Sequence, residues 1–275
     1  MDAPAVMEQT DGRRRPEIPG ERLALIEAFE RDGYVAIPGA LGPDQVERVT
    51  AALDRLYREE TGTEGGPLHL LAFCGRDPAF LELVDHPGTL PFVIDLLGTN
   101  VFMYHCHCDV HPPEPDVRQP WMWHQDGGVI NRDLEGEPRP RISVKLAYFL
   151  TDLSEPGRGN FVVLPGSHRR NAIERPADDD NELPGATPVL ARPGDAVLFD
   201  RRLWHMRSPN RSTLTRKAVF FAYTYRWVRQ RDELEIRPEL RHLVTPVRAQ
   251  LLGAGDDMDH YWMPDLVELP LKSLI

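Results

Sequence analysis

The sequence predicts a mainly β protein with flanking helices, in which the helices come first and pack outside a β-core built as a sandwich or a barrel. The first observation is that apolar residues recur at helical spacing in the first part of the chain. The second is that, from Asn100 onward, short β-rich runs alternate with turns rich in proline and glycine. Helices followed by a series of short strands are typical of a β-core covered by helices.

The N-terminal part should be helical after a polar tail. Residues 1–20 are polar and rich in proline and arginine, and we expect a disordered or loosely attached tail there. We assign residues 21–275 to a single domain. The expected segments are a helix that ends at Gly33, a strand over 34–38, a helix from Gly42 to about Glu59, and helices over 78–85 and 90–97.

The β-core should come from five apolar runs in the second part of the chain. In order they are VFMYHCHCDV, RISVKLAYFLTDL, FVVLPGS, DAVLFDRRLWHMRS and KAVFFAYTYRWV. The polar linker 168–188, with its acidic run Asp178–Asp180, is expected to cross the surface and could act as a lid. The stretch after Arg229, which includes Trp262, could close over a pocket or form a homodimer contact.

Composition excludes several classes of function. The formal net charge of −11 argues against nucleic-acid binding, which needs basic patches. No apolar run approaches the roughly 18 residues that a membrane span requires. The N-terminus lacks the apolar stretch of a signal peptide. We therefore expect a cytoplasmic protein that binds neither nucleic acid nor a membrane.

Three cysteines, Cys74, Cys106 and Cys108, are too few and odd in number for a disulfide framework, and we expect reduced thiols. A metal site at Cys106 and Cys108 would need further ligands, and Cys74 is the only other thiol. Small buried thiols are the simpler interpretation.

The segment His124-Gln125-Asp126 carries the central motif. On an extended segment, residues two apart project to the same face, so His124 and Asp126 can reach one point. His205 is the best candidate for a third ligand, because it ends an apolar run that should be a core strand. Two histidines and one carboxylate form the facial triad of non-haem iron(II) oxygenases.

Arg216 makes the pattern more specific. It lies at the start of the strand that follows His205. An arginine that points into a β-core needs an anionic partner, and its guanidinium can bind a carboxylate through two parallel hydrogen bonds. The distal carboxylate of 2-oxoglutarate would be such a partner. The alternative is an ordinary surface arginine on a strand.

These motifs together resemble the phytanoyl-CoA dioxygenase family of iron(II)/2-oxoglutarate oxygenases. The resemblance covers about Phe29 to Val228 and rests on four elements in the family's order. They are FERDGYVAIPGALGPDQVERVTAALD, WHQDGG, GNFVVLPGSH, and the H-x4-N-x-S-x3-R pattern at His205, Asn210, Ser212 and Arg216.

The resemblance implies a double-stranded β-helix, a jelly-roll, cupin-like barrel with flanking helices. It implies that His124, Asp126 and His205 bind Fe(II) and that Arg216 binds the distal carboxylate of 2-oxoglutarate, with Ser212 as a further cofactor-binding candidate. It implies O2 as the second co-substrate and a small molecule as the substrate. His168, in the Pro165–His168 turn, is interpreted as structural.

Further candidates follow from alternation along the strands. His105, His107 and Asp109 share one face, and His105 or His107 could contact 2-oxoglutarate or the substrate if that face is internal. Lys145 shares a face with Ser143 and Ala147, and either an internal anion-binding role or an exposed position fits. The side chains Gln125, Trp123 and Trp204 flank the metal ligands and are candidates for the substrate pocket, although the tryptophans could equally be core residues.

The intact Asp126 disfavours halogenation, because halogenases of similar architecture replace this carboxylate with a small residue. Hydroxylation of an unactivated C–H bond is then the default reaction, with desaturation, epoxidation and ring formation left open. A small metabolite or a natural-product intermediate is favoured over a CoA thioester, since no basic cluster suits its phosphates. A zinc or manganese enzyme and a non-catalytic ligand-binding barrel are the competing classes.

Overall fold

A computed structural model describes residues 18–62, 65–178, 181–254 and 269–274. Residues 1–17 of the expected tail, Asp179, Asp180 and Trp262 lie outside these ranges.

The strands are β1 Tyr34–Ile37, β2 Leu68–Leu71, β3 Val101–His111, β4 Ser143–Phe149, β5 Phe161–Val163, β6 Thr187–Pro188, β7 Ala196–Asp200, β8 His205–Arg207 and β9 Arg216–Tyr225. The α-helices are α1 Gly20–Asp32, α2 Pro43–Thr61, α3 Pro78–Leu81, α4 Leu90–Leu97, α5 Val129–Asp133 and α6 Pro246–Leu251.

The strands form two antiparallel sheets. The large sheet has the order β1-β7-β4-β9-β3-β2, and the small sheet has the order β6-β5-β8. The small sheet lies against the large one, because Phe161 of β5 and Phe199 of β7 contact each other with ring centroids 4.8 Å apart. The expected mainly β architecture with flanking helices is therefore confirmed.

Alternation divides the large sheet into an outer and an inner face. Val144, Leu146 and Tyr148 of β4 belong to the outer apolar cluster, together with residues of the helices. Ala147 and Phe149 belong to the inner cluster, which also contains residues of β5. One face of the sheet therefore packs on helices and the other faces the small sheet.

The helices near the N-terminus agree well with the expected segments. Gly33 ends α1 in the left-handed conformation (φ 82°). A Cβ at this position would also overlap the His168 ring. The third expected helix is shorter than predicted, because α3 stops at Leu81 and turns follow. Elements without a clear sequence signal were missed: β2, β6, α5 and α6.

One expectation about the metal segment is wrong. The run DAVLFDRRLWHMRS was predicted as one core strand, but it forms two strands that belong to different sheets. A turn separates them, in which the backbone N–H of Leu203 donates to the Asp200 carbonyl, 2.9 Å away. His205 therefore begins β8 of the small sheet instead of ending an apolar strand.

None of the helices in the described part of the chain is long and apolar enough to cross a membrane. Cys74, Cys106 and Cys108 are buried free thiols, and Cys106 and Cys108 lie on the outer face of the sheet within the helix-covered core.

Candidate metal centre

His124, Asp126 and His205 come together at one point between the two sheets. One ligand atom of each residue lies within 4.8 Å of the others, so the three could hold a metal ion. The donor set of two imidazoles and one carboxylate is the facial triad of non-haem iron(II) sites. The residues present therefore fit such an ion.

The backbone brings the two histidines together. His124 and His205 form an antiparallel β-bridge, in which each backbone N–H donates to the other residue's carbonyl at 3.1 and 3.0 Å. Their rings lie 4.3 Å apart. Neighbouring positions of a bridge project their side chains to the same side, so residues 81 positions apart in sequence point at one site.

Hydrogen bonds also fix which ring nitrogen each histidine offers. Nδ1 of His124 lies 2.8 Å from the Met122 carbonyl, and Nδ1 of His205 lies 2.8 Å from the Leu203 carbonyl. A carbonyl only accepts, so each Nδ1 carries the proton and each Nε2 keeps a lone pair. Such partners are typical of metal-binding histidines. Burial lowers the pKa of His205 to about 3, which keeps the ring neutral.

Lys145 faces this site, so the internal position is the correct one of the two that the sequence left open. Its Nζ lies 2.8 Å from Oδ2 of Asp126. Burial alone would raise the pKa of Asp126, but Lys145, His205 and His124 together hold that pKa far below its usual range. The carboxylate therefore stays ionised and available to a cation.

Gln125 anchors the metal-binding segment. Its Nε2 donates to the carbonyls of Arg170 and Arg202, and its Oε1 accepts from Arg139. The side chain does not line the cavity described below, although the sequence made it a pocket candidate. Its hydrogen bonds instead tie the segment between the two ligands to the surrounding loops.

A cavity of about 350 Å³ opens onto the triad. Of the sequence candidates, His105, His107, Lys145 and Arg216 share this cavity with the three ligands. Its walls also include Phe161, Phe199 and Phe220, which make it partly apolar. The cavity is of the size that suits small molecules.

Three other candidates lie elsewhere. Trp123 packs in a separate apolar cluster and its Nε1 donates to the Asn181 carbonyl at 2.9 Å. Trp204 packs against the same cluster. Ser212 lies in the turn after β8, where its hydroxyl donates to Oδ1 of Asn210 at 2.7 Å. None of the three lines the cavity.

Arg216 is fully buried in the cavity wall. Its Nη1 lies 3.5 Å from Oδ2 of Asp109, yet neither Nη1 nor Nε has a hydrogen-bond partner among the described residues. Burial lowers the pKa of Arg216 to about 10, so the group stays cationic at neutral pH. A buried guanidinium with unused N–H groups is suited to bind a carboxylate ligand.

A chain of hydrogen bonds orders the histidines of β3. Oδ2 of Asp232 lies 2.7 Å from Nδ1 of His105, and Nε2 of His105 lies 3.0 Å from Nδ1 of His107. The carboxylate requires a proton on Nδ1 of His105, so Nε2 of His105 accepts from His107. His107 then offers the lone pair of its own Nε2 to its surroundings. Burial holds the pKa of His107 well below its usual range.

Asp232 was missed by the sequence reasoning, which considered the region after Arg229 only as a segment. It lies in a loop, where no strand alternation identifies its direction. The backbone N–H groups of Arg231 and Asp232 donate to the Tyr104 carbonyl at 3.0 and 3.2 Å, which brings this loop onto β3.

A second group of potential metal ligands consists of His69, His107 and Asp109. Nδ1 of His69 lies 2.7 Å from Oδ1 of Asp109. Arg216 lies beside the same carboxylate and already satisfies part of its charge. Both oxygens of Asp109 are thus engaged, Oδ1 by His69 and Oδ2 by Arg216, whereas the Lys145 ammonium lies beside only Oδ2 of Asp126, so the triad is the better metal site.

Comparison with known proteins agrees with this geometry. Residues 29–218 match the phytanoyl-CoA dioxygenase (PhyH) family. The chain belongs to the phytanoyl-CoA dioxygenase family. Among curated proteins of related sequence, ectoine dioxygenase of Nocardia farcinica is 24% identical over an alignment of 240 positions, gaps included, that covers 75% of this chain and 78% of that protein. Dioxygenase af480 of Aspergillus fumigatus is 23% identical over an alignment of 212 positions that covers 71% of this chain and 64% of that protein.

Solved structures show the same fold for this PhyH-family chain. HygX of Streptomyces hygroscopicus, crystallised with nickel and 2-oxoglutarate, superposes with a TM-score of 0.62 at 20% identity and covers 82% of this chain and 94% of its own. SnoN, an α-ketoglutarate-dependent epimerase from nogalamycin biosynthesis, gives a TM-score of 0.59 at 20% identity, with 76% and 84% covered. At this identity the likeness concerns the fold.

Proposed function

We propose that this protein is an Fe(II)/2-oxoglutarate-dependent dioxygenase that hydroxylates an unactivated C–H bond of a small molecule, with succinate and CO2 as co-products. The observation that carries the proposal is the presence of Arg216, buried and with unused N–H groups, in the same cavity as the triad. A zinc hydrolase would need the triad but not this arginine. We further propose that the two sheets are the halves of a double-stranded β-helix.

Each residue of the site has its own role. His124 and His205 would hold the iron through Nε2, and Asp126 would hold it through a carboxylate oxygen. Arg216 would bind the distal carboxylate of 2-oxoglutarate. When bound, the iron with 2-oxoglutarate and O2 supplies the oxidising chemistry. The protein fixes the geometry, because the ligand rings are held by backbone carbonyls and Asp126 by Lys145.

The substrate is proposed to be a small metabolite or a natural-product intermediate. The cavity of about 350 Å³ opens outward beside the triad, so it can hold a co-substrate together with the reacting part of a small molecule. The fold neighbours HygX and SnoN are described with hygromycin B and nogalamycin RO, respectively, which supports the natural-product class. SnoK, a carbocyclase with this fold, supports ring formation as an alternative to hydroxylation, beside desaturation and epoxidation.

Anaerobic reconstitution with iron(II) and 2-oxoglutarate tests the proposal. We expect a weak metal-to-ligand absorption band in the visible range that appears only when both are present. The band should be lost in His124→Ala and Arg216→Ala proteins and kept in His69→Ala. A purified protein that retains zinc and shows no band with iron(II) and 2-oxoglutarate would overturn the proposal in favour of a non-oxidative metal enzyme.

A further inference from the structure

Arg207 faces the same cavity as Arg216. It lies two residues after His205 on β8, and residues two apart on a strand project to the same face. Both His205 and Arg207 line the cavity. Arg207 ends β8 and Arg216 begins β9, and the loop 208–215 joins them. The two guanidinium groups therefore enter the cavity from the same end, one from each sheet.

Arg207 has little to bind among the described residues. It is half-buried, and its Nη1 makes one long hydrogen bond of 3.4 Å to the Ser208 carbonyl. No carboxylate of the described chain lies within ion-pairing distance of it. Arg202, only five positions earlier, shows the contrast, because its guanidinium lies 2.7 Å from Oδ2 of Asp200.

The charges at this end of the cavity do not balance. Asp109 stabilises the charged forms of both Arg207 and Arg216, and the two guanidinium groups repel each other. Glu114 also favours the charged form of Arg207, but it does not line the cavity. At this end of the lining, two guanidinium groups therefore face one carboxylate, that of Asp109. A buried charge is costly unless a partner compensates it, and one further carboxylate inside the cavity would be such a partner.

We propose that Arg207 and Arg216 together bind one carboxylate, the distal carboxylate of the 2-oxo acid, in competition with Asp109, whose Oδ2 lies 3.5 Å from Nη1 of Arg216. This inference rests on the proposed use of 2-oxoglutarate. It adds a second guanidinium that selects a dicarboxylic over a monocarboxylic 2-oxo acid, and it gives Asp109 a defined role as a competitor for the same two cations.

Calorimetry with the full-length Ni(II)-loaded protein tests the inference without turnover. Two ligands are compared, 2-oxoglutarate and 2-oxopentanoate, which has the same chain length but no distal carboxylate. We expect Arg207→Met to weaken 2-oxoglutarate binding about tenfold or more, the loss of one charge-assisted interaction. Binding of 2-oxopentanoate should not change. The matched control is Arg211→Met, since exposed Arg211 in the same loop donates to the Pro115 carbonyl and does not line this cavity.

A second variant should change the affinity for 2-oxoglutarate in the opposite direction. Asp109→Asn removes the competing charge, so we expect tighter 2-oxoglutarate binding by several-fold, an effect that a merely damaged fold would not produce. Unchanged 2-oxoglutarate affinity in a folded Arg207→Met protein, or weaker binding in Asp109→Asn, would overturn the inference. A wild-type protein that binds neither 2-oxo acid, or both equally, would instead overturn the proposed function itself.

Discussion

Nζ of Lys145 lies 2.8 Å from Oδ2 of Asp126, so the carboxylate of the metal triad has a fixed cationic partner. Both side chains are largely shielded from solvent, with 8% and 14% exposed. One carboxylate oxygen can remain with the ammonium group while the other ligates a metal. The lysine thereby orients the ligand and keeps it ionised.

Replacing Lys145 with methionine should weaken metal binding about 10- to 100-fold, the usual cost of losing a partner that orients a ligand. Competition against a chromophoric chelator measures the Ni(II) affinity. Lys217→Met is the matched control, because Lys217 pairs with Asp54 at 2.6 Å, away from the triad. Tighter metal binding in Lys145→Met would mean that the lysine competes with the metal for Asp126.

Gly159 leaves space for Arg216. Its φ is +72°, and a Cβ there would lie 2.9 Å from Cδ of Arg216. Gly159→Ala should displace the arginine and weaken 2-oxoglutarate binding about tenfold, the scale of one lost charge-assisted hydrogen bond. Ni(II) affinity should not change. Gly157→Ala is the control, since Gly157 has a similar φ of +85° and nothing within 4 Å of its Cβ position. Equal effects of the two variants would assign the loss to backbone strain.

Asp232 accepts two buried hydrogen bonds, from Nδ1 of His105 at 2.7 Å and from the backbone N–H of Cys106 at 3.1 Å. Asp232→Ala leaves both donors without a partner. We expect a loss in the free energy of unfolding of roughly 1–3 kcal/mol, measured by urea denaturation. Histidine nitrogen chemical shifts should also show that His107 loses its single tautomer. An unchanged tautomer would contradict the hydrogen-bond chain.

The stability of the metal-free protein should depend on pH through His111. Burial, with Arg207 and Arg216 nearby, lowers its pKa to about 3. An unfolded histidine has a pKa of about 6.5, so between these values only the unfolded chain binds the proton. The stabilisation is complete above pH 6.5 and is lost as the pH falls toward 3.

This dependence can be measured with two variants. Between pH 7 and pH 5, wild type should lose roughly 2 kcal/mol more free energy of unfolding than His111→Leu, by proton linkage. Exposed His242 provides the control variant His242→Leu, which should follow wild type. The same pH slope in His111→Leu and wild type would show that other groups account for the acid sensitivity.

Sequence reasoning located the centre of the site because its signals are local or fixed in spacing. His124 and Asp126 share a face by alternation. The separation of His205 and Arg216 along the sequence places these two residues on consecutive strands. Alternation along β3 also assigned His105 and His107 to the face opposite that of the buried thiols Cys106 and Cys108. It assigned Lys145 to one of two faces without deciding which, because that choice depends on where the helices pack.

The remaining features depend on contacts that no local pattern records. The bend at Asp200–Leu203 moves His205 and Arg207 onto the small sheet, and an apolar run does not reveal such a bend. Asp232 reaches His105 across 127 positions of sequence. Trp123 and Trp204 are near the ligands in sequence, yet they pack in a separate cluster.

The loop that carries Arg231 and Asp232 lies beyond residue 218, where the match to the family ends. It attaches to β3 by two main-chain hydrogen bonds to the Tyr104 carbonyl and by the Asp232 carboxylate, which accepts from His105 and from the backbone N–H of Cys106. A loop that keeps the Asp232 carboxylate and these main-chain bonds can therefore dock in the same way whatever residue stands at position 231. Since Arg231 lines the cavity, this one position can alter the cavity wall while the triad keeps its geometry.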